Sequence, residues 1–227
     1  MQEISSQLQQ VLSRIAQACD QCGRKQDEVT LLAVSKKQDI AAIQTAYKAG
    51  QIHFGENYVQ EALEKINALG HLPIIWHLIG ALQSNKTAEV AQYFAWVHSV
   101  DRLKIAQRLS AQRPTDLPPL QICLQVNIDQ QQSKSGCTIE ELPMLIQAIL
   151  PLPHLVLRGL MVIPQAQNYQ AFEQLAQLRQ QLLVTIPHLS SQVFDTLSMG
   201  MSDDLEPAIA AGSTIVRVGT AIFGQRL

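Results

Sequence analysis

The feature that most constrains this chain is a strict alternation. A short run rich in apolar and β-branched residues is followed by a longer stretch with helical periodicity, and the pair recurs to the end of the sequence. The short runs are Thr30–Lys36, Ile52–Gly55, Ile74–Gly80, Trp96–Val100, Leu120–Ile128, Leu157–Ile163, Val193–Met199 and Thr214–Gly219. The helical patterns between them cover roughly 39–49, 57–69, 83–94, 102–112, 138–149, 169–184 and 203–211. Strands separated by helices lie parallel, because the chain must return over a crossover before it can pair again. Eight such units predict an α/β fold, a single (β/α)8 TIM barrel. The competing arrangement, an open doubly wound sheet, commonly carries Gly-x-Gly-x-x-Gly after its first strand. Ala33-Val34-Ser35-Lys36-Lys37 stands there instead.

One further helix precedes the first strand. Leu8, Val11, Leu12, Ile15, Ala16 and Cys19 recur at helical spacing, and Gly23 ends the pattern. The 227 residues are then accounted for by one domain, 1–227.

Charge excludes some functions. With a net charge of −2 the chain lacks the basic footprint that draws proteins to nucleic acid or acidic membranes. The N-terminus has no basic segment leading into an apolar one, and no run of 18 apolar residues occurs, so a cytoplasmic protein is expected. Cys19 and Cys22 have zinc-site spacing, but Cys123 and Cys137 are too far apart to complete a ligand set, and structural thiols are expected. No metal is expected.

In a barrel of this kind the chemistry sits at the C-terminal ends of the strands, and a phosphate group is often held by the loops after strands 7 and 8. Strand 7 ends in Ser198-Met199-Gly200-Met201-Ser202, and strand 8 in Arg217-Val218-Gly219-Thr220. Glycine there lets the backbone approach an oxyanion closely, and a hydroxyl adds a donor. Strand periodicity places Leu32, Val34 and Lys36 on one face and Ala33, Ser35 and Lys37 on the other, so one of the two lysines points into the barrel mouth. Low-dielectric surroundings favour the neutral amine, which is the form that attacks carbonyls. A lysine reaching back to solvent from a strand end is the competing reading, and position alone leaves both open. Ile215, Arg217 and Gly219 likewise share a face. Arg217 has two readings: a fixed cation beside a ligand, or the partner of a barrel carboxylate such as Glu56.

Several longer motifs run through the chain in order. They are Ala33-Val34-Ser35-Lys36; Phe54-Gly55-Glu56-Asn57-Tyr58-Val59-Gln60-Glu61; Trp76-His77-Leu78-Ile79-Gly80 with Leu82-Gln83-Ser84-Asn85-Lys86; Gly159-Leu160-Met161; Leu197-Ser198-Met199-Gly200-Met201-Ser202; and Val216-Arg217-Val218-Gly219-Thr220. In these the chain resembles the pyridoxal phosphate homeostasis proteins, which are related to the barrel domain of alanine racemase. The resemblance implies a fold-type III barrel that binds pyridoxal 5′-phosphate. It implies that Lys36 forms the internal aldimine and that Arg217 contacts the pyridine nitrogen. Ser198, Gly219 and Thr220 would hold the phosphate, while Asn57, His77, Met161, Met199 and Gly200 would line or support the pocket. His77 is equally open to being a hydrogen-bonded core histidine. Two positions depart from the family pattern: Lys37-Gln38-Asp39 follows the lysine, and Gln131 stands where an acidic residue is common.

The resemblance further implies a role in vitamin B6 balance, with effects on amino-acid and keto-acid pools, as a monomer whose recipients would be apo-enzymes that use this cofactor. An arginine beside the ring nitrogen leaves that nitrogen unprotonated, which weakens the ring as an electron sink. The four tyrosines, Tyr47, Tyr58, Tyr93 and Tyr169, all fall in helical patterns and suggest no opposing base. A carrier without robust turnover is therefore expected. A weak racemase-like enzyme and a class I aldolase using the lysine are the alternatives.

Overall fold

The computed structural model describes residues 2–129 and 135–224. Gln131 therefore lies outside the described residues. Eight strands pair in parallel in chain order, and the last closes on the first: β1 (Thr30–Val34), β2 (His53–Glu56), β3 (Ile75–Leu78), β4 (Trp96–Val100), β5 (Leu120–Gln125), β6 (Leu155–Met161), β7 (Thr196–Ser198) and β8 (Ile215–Val218). Helix α1 (Gln2–Gln21) precedes the barrel. The crossovers are α2 (Ile40–Lys48), α3 (Val59–Ala68), α4 (Thr87–Tyr93), α5 (Leu103–Gln112), α6 (Leu142–Ile149), α7 (Gln170–Thr185) and α8 (Leu205–Ala210), and a single turn, α9 (Thr220–Phe223), follows β8. The expected closed (β/α)8 barrel is what forms.

Burial on both faces of the strands explains why the runs read as apolar rather than alternating. In β1, Leu31 and Ala33 pack outward with the helices, whereas Leu32 and Val34 join Ile79 and Ile215 inside the barrel. Helix α1 buries Leu8, Val11, Ile15 and Cys19 and packs beside α2, α8 and α9. Arg14 ties it to α8 through Glu206 at 2.7 Å. All four cysteines are free thiols, and among the described residues no cluster of three or more metal-ligating side chains occurs. Nor, among those residues, is any helix long and apolar enough to cross a membrane.

Some boundaries differ from the sequence pattern for local reasons. The run at Val193–Met199 pairs only over Thr196–Ser198. Its first residues belong to a turn in which the Phe194 N–H donates to the Ser190 carbonyl at 2.7 Å, and Arg158 clamps Asp195 at 2.6 Å. The 138–149 pattern becomes helical only at Leu142, because Thr138 and Glu141 first exchange reciprocal side-chain bonds of 2.8 and 3.3 Å. In β6 the register shifts beside Gly159, whose φ is +156°. A Cβ there would stand 1.8 Å from the Thr196 carbonyl oxygen, so only glycine lets β6 and β7 approach this closely.

The interior is unusual for such a barrel, which commonly fills with branched apolar side chains. Here His77, His98, Ser198 and Arg217 are all buried within it. Buried polar groups persist only if they are hydrogen-bonded.

Candidate cofactor site

At the C-terminal mouth, between the ends of β1 and β8, lies a cavity of about 210 Å³. Lys36 reaches it from beyond β1, Arg217 from β8, and Ser202, Gly219 and Thr220 form its far wall; Val34, Ile79 and Ile163 supply apolar sides. Asn57 also lines it, and Asn57 Oδ1 is a buried atom with no hydrogen-bond partner. A second cavity of about 240 Å³ adjoins the first, sharing Asn57, Ile79 and Ile163 and extending toward Gln125 and Asp129. Gly80 makes the junction possible, because a Cβ there would meet the Asn57 carbonyl oxygen at 2.1 Å. At the opposite end of the barrel another hollow holds Arg24 and Arg158. Arg24 donates to Glu28, Ile209 O and Ser213 O, and Arg158 to Asp195, Gln121 and Val193 O.

The backbone sends the two lysines to different surroundings. Lys37 adopts φ +61° and is exposed, whereas Lys36 is half-buried in the cavity wall. A buried ion cluster on the outer side of the strands holds this turn. Ser35 Oγ donates to Glu56 Oε1 at 2.6 Å, and Lys65 Nζ donates to Glu56 Oε1 at 2.8 Å, to the Ser35 carbonyl at 2.7 Å and to Glu61 Oε1 at 2.6 Å. The Lys37 N–H donates to Glu61 as well. Both neighbours of Lys36 are therefore clamped. Burial pushes the Glu56 carboxyl up, opposed by its bonds to Lys65 and Ser35.

Arg217 does not pair with Glu56, which faces the helical layer. Its Nη1 donates to the Ser198 carbonyl at 2.6 Å and to Ser198 Oγ at 2.8 Å, and its Nη2 donates to the Val162 carbonyl at 2.8 Å. Burial lowers Arg217 to about 10, still cationic near neutrality. Its Nε–H makes no hydrogen bond among the described residues.

The sequence-expected set divides in two. Lys36, Asn57, Arg217, Gly219 and Thr220 meet at one cavity. His77, Met161, Ser198, Met199 and Gly200 are buried and do not line it. For Ser198 this is a correction: its hydroxyl is fully buried and engaged by Arg217 and His98, so it is not offered to a phosphate. Ser202, four residues on, is the serine at the wall; it was legible as part of the strand 7 loop but not separable from Ser198 by spacing. Gly200, with φ +93°, packs so closely on α8 that an added Cβ would stand 2.6 Å from the Ala208 side chain. Met199 packs in the helix-facing core. His77 lies between two other rings, with Nε2 2.9 Å from His53 Nδ1 and Nδ1 2.9 Å from His98 Nε2. His98, which the sequence reading passed over, shares the inward face of β4 with Trp96, and strand periodicity was its only signal.

Burial holds His77 well below the usual histidine range and His98 down to about 3. The unfolded chain takes up protons at these rings near pH 6.5, the folded one only far lower. Their contribution to stability is thus complete above about pH 6.5 and is lost as pH falls toward 3. A lower urea midpoint is expected at pH 5 than at pH 7, an interval that lies mostly above carboxylate titration; an unchanged or higher midpoint would contradict neutral buried rings.

The residues present suit pyridoxal 5′-phosphate: an amine for its aldehyde, an unpartnered guanidinium N–H for a ring nitrogen, an orphaned amide oxygen, and a hydroxyl and glycine wall. Asp203 stands at the exposed rim of that wall.

Known proteins bear on this site. Residues 7–227 match the family described as alanine racemase, N-terminal domain. The chain is 53% identical over 226 residues to the pyridoxal phosphate homeostasis protein of Pseudomonas aeruginosa, covering 100% of this chain and 97% of that one. It is 50% identical over 234 residues to the Escherichia coli K12 protein of the same name, covering 100% and 98%. The structure of PipY from Synechococcus elongatus with PLP bound superposes with a TM-score of 0.85 at 37% identity, over 98% of this chain and 100% of that one. An alanine racemase of Clostridium difficile shares the fold alone, with a TM-score of 0.74 at 11% identity over 100% of this chain and 57% of the racemase. With identity of this degree along its whole length, the chain belongs to the pyridoxal phosphate homeostasis proteins, within the alanine racemase N-terminal domain family.

Proposed function

We propose that this protein holds pyridoxal 5′-phosphate through a reversible Schiff base to Lys36, and that it buffers or carries the cofactor in intracellular vitamin B6 homeostasis. The observation that carries this reading is the placement of Lys36 and Arg217 on one cavity with the Ser202, Gly219 and Thr220 wall. The cofactor supplies an aldehyde that a primary amine captures reversibly. Lys36 Nζ is that amine, and one water leaves when the tether forms and returns when it breaks. Arg217 offers its Nε–H to the ring nitrogen and, staying cationic, keeps that nitrogen unprotonated. The backbone at Gly219 and the hydroxyls of Ser202 and Thr220 receive the phosphate.

Proton transfer at an amino acid's α-carbon needs a positioned base. Among the described residues that line the first cavity the ionisable ones are Lys36, Asp203 and Arg217, and none of the four tyrosines lines it. That set supports holding over turnover. The opening at the mouth supports release to apo-enzymes that depend on the cofactor.

Transfer is the test. Protein loaded with cofactor is mixed with such an apo-enzyme in the presence of a phosphatase that destroys free pyridoxal phosphate. Activation that survives the phosphatase is expected; activation no greater than free cofactor gives would remove the carrier role. A second reading, a weak racemase-like enzyme, draws on the adjoining cavity of about 240 Å³, which has room for an amino acid. Turnover of an amino acid that disappears in Lys36→Ala would decide for it.

A further inference from the structure

The polar barrel interior forms one connected line. Arg217 Nη1 lies 2.8 Å from Ser198 Oγ, Ser198 Oγ 2.8 Å from His98 Nδ1, His98 Nε2 2.9 Å from His77 Nδ1, and His77 Nε2 2.9 Å from His53 Nδ1. Ser198, His98 and His77 are fully buried, and His53 is half-buried near the base of the barrel. None of the four belongs to the cavity wall, and the holding of a cofactor as described above does not use them.

The direction of the line follows from elementary donor and acceptor counting. A guanidinium only donates, so Ser198 Oγ accepts from Arg217. The Ser198 hydroxyl proton then has one acceptor among the described residues, His98 Nδ1. Were His98 to donate instead, that proton would be buried without a partner, at the cost of an unmade bond. With Nδ1 accepting, a neutral His98 carries its proton on Nε2 and donates to His77 Nδ1. His77 in turn carries its proton on Nε2 and donates to His53 Nδ1. Every bond in the line is satisfied by one arrangement: three neutral rings, each protonated at Nε2. Trp96 stacks flat on His77, with centroids 5.4 Å apart and planes 12° from parallel, which fixes that ring.

Arg217 has no carboxylate in contact among the described residues. Its orientation rests on two carbonyls and the Ser198 hydroxyl. We propose that Ser198, His98 and His77 are positioning residues for the cofactor: their ordered hydrogen bonds fix the guanidinium of Arg217 so that its Nε–H points at the ring of the bound cofactor. The proposal rests on the reading that Arg217 faces that ring. It gives the histidine of the Trp76-His77-Leu78 motif and the serine of Leu197-Ser198-Met199 a role that contact with the ligand does not.

Two measurements test it. In cofactor-free protein labelled with ¹⁵N-histidine, His77 and His98 are expected as neutral rings with bare Nδ1 and protonated Nε2; either ring found as the Nδ1–H form, or charged at neutral pH, overturns the line. The second is titration with pyridoxal 5′-phosphate, reading the bound cofactor's absorbance maximum and its dissociation constant. Ser198→Ala removes one hydroxyl from the fully folded barrel and is expected to weaken binding about tenfold, the scale of one hydrogen bond to a charged group, and to shift the maximum. His98→Leu should do the same. His98→Asn, whose Oδ1 replaces Nδ1 as the acceptor for Ser198, should restore both readings. Parent-like spectra and affinity in Ser198→Ala and His98→Leu would overturn the proposal, as would an asparagine variant no better than leucine. If Arg217→Leu itself leaves spectrum and affinity unchanged, the fault lies with the reading of Arg217 at the ring, whatever the tautomers show.

Discussion

Replacing Lys36 by alanine is expected to abolish covalent capture of pyridoxal 5′-phosphate. Borohydride fixes a Schiff base as a stable amine, so after reduction the parent protein should gain the mass of one cofactor less the water expelled and plus two hydrogens, and the variant nothing. Lys37→Ala is the discriminating control. Lys37 has φ +61° and is exposed, so its removal should leave labelling intact. The cost of Lys36→Ala to folding is small by comparison, since a half-buried side chain at the end of a strand is shortened without emptying the core. Folding and capture therefore separate cleanly: the variant should unfold near the parent's midpoint while failing to be labelled. Equal labelling of the alanine variant would place the reactive amine elsewhere and end the assignment.

Lys65→Met should produce the largest loss of stability. The Lys65 ammonium is buried, with its side chain 6% exposed, and it meets Glu56, whose side chain is 0% exposed, at 2.8 Å. It also holds Glu61 and the Ser35 carbonyl. Methionine is close in size, so the change removes charge and three hydrogen bonds while keeping most of the volume. Breaking a buried pair from one side leaves its partner uncompensated and costs about 3–5 kcal/mol. Denaturant unfolding measures that loss directly. A second effect distinguishes this cluster from an ordinary ion pair. Glu56, Glu61 and Lys65 together clamp the residues on both sides of Lys36, so folded Lys65→Met should also be labelled more slowly by the cofactor. The clamp would be refuted by a loss below 1 kcal/mol together with unchanged labelling.

Barrel and mouth were both legible from the one-dimensional pattern, and for the same reason. Alternating strand and helix periodicity admits few topologies, and a strand's period of two puts Leu32, Val34 and Lys36 on a single face, which is where they lie. The glycine and hydroxyl positions after β8 were legible in the same way. What the pattern misjudged was depth along a strand. Ser198 closes β7 and Ser202 lies in the loop just after it, yet one is sealed beneath Arg217 and the other stands at the wall. Spacing carries facing but not height, because height depends on how strands stagger around the closed sheet.

By itself, then, the sequence determined the closed barrel and drew up a set of candidates at one end of it that included the lysine, the arginine and the glycine. Strand position left Lys36 and Lys37 both open and the family resemblance favoured Lys36; only the tertiary structure shows Lys36 on the cavity and Lys37 exposed, in a left-handed turn held by Glu61 and Lys65 from another element. Only it separated Ser202 from Ser198 and linked three histidines on β2, β3 and β4 to an arginine on β8. The physical reason is that periodicity and turn chemistry are local, acting over a few residues, whereas a buried charge or hydroxyl is placed by whichever partner closes its hydrogen bond. Those partners here lie 4 to 100 residues away in the chain.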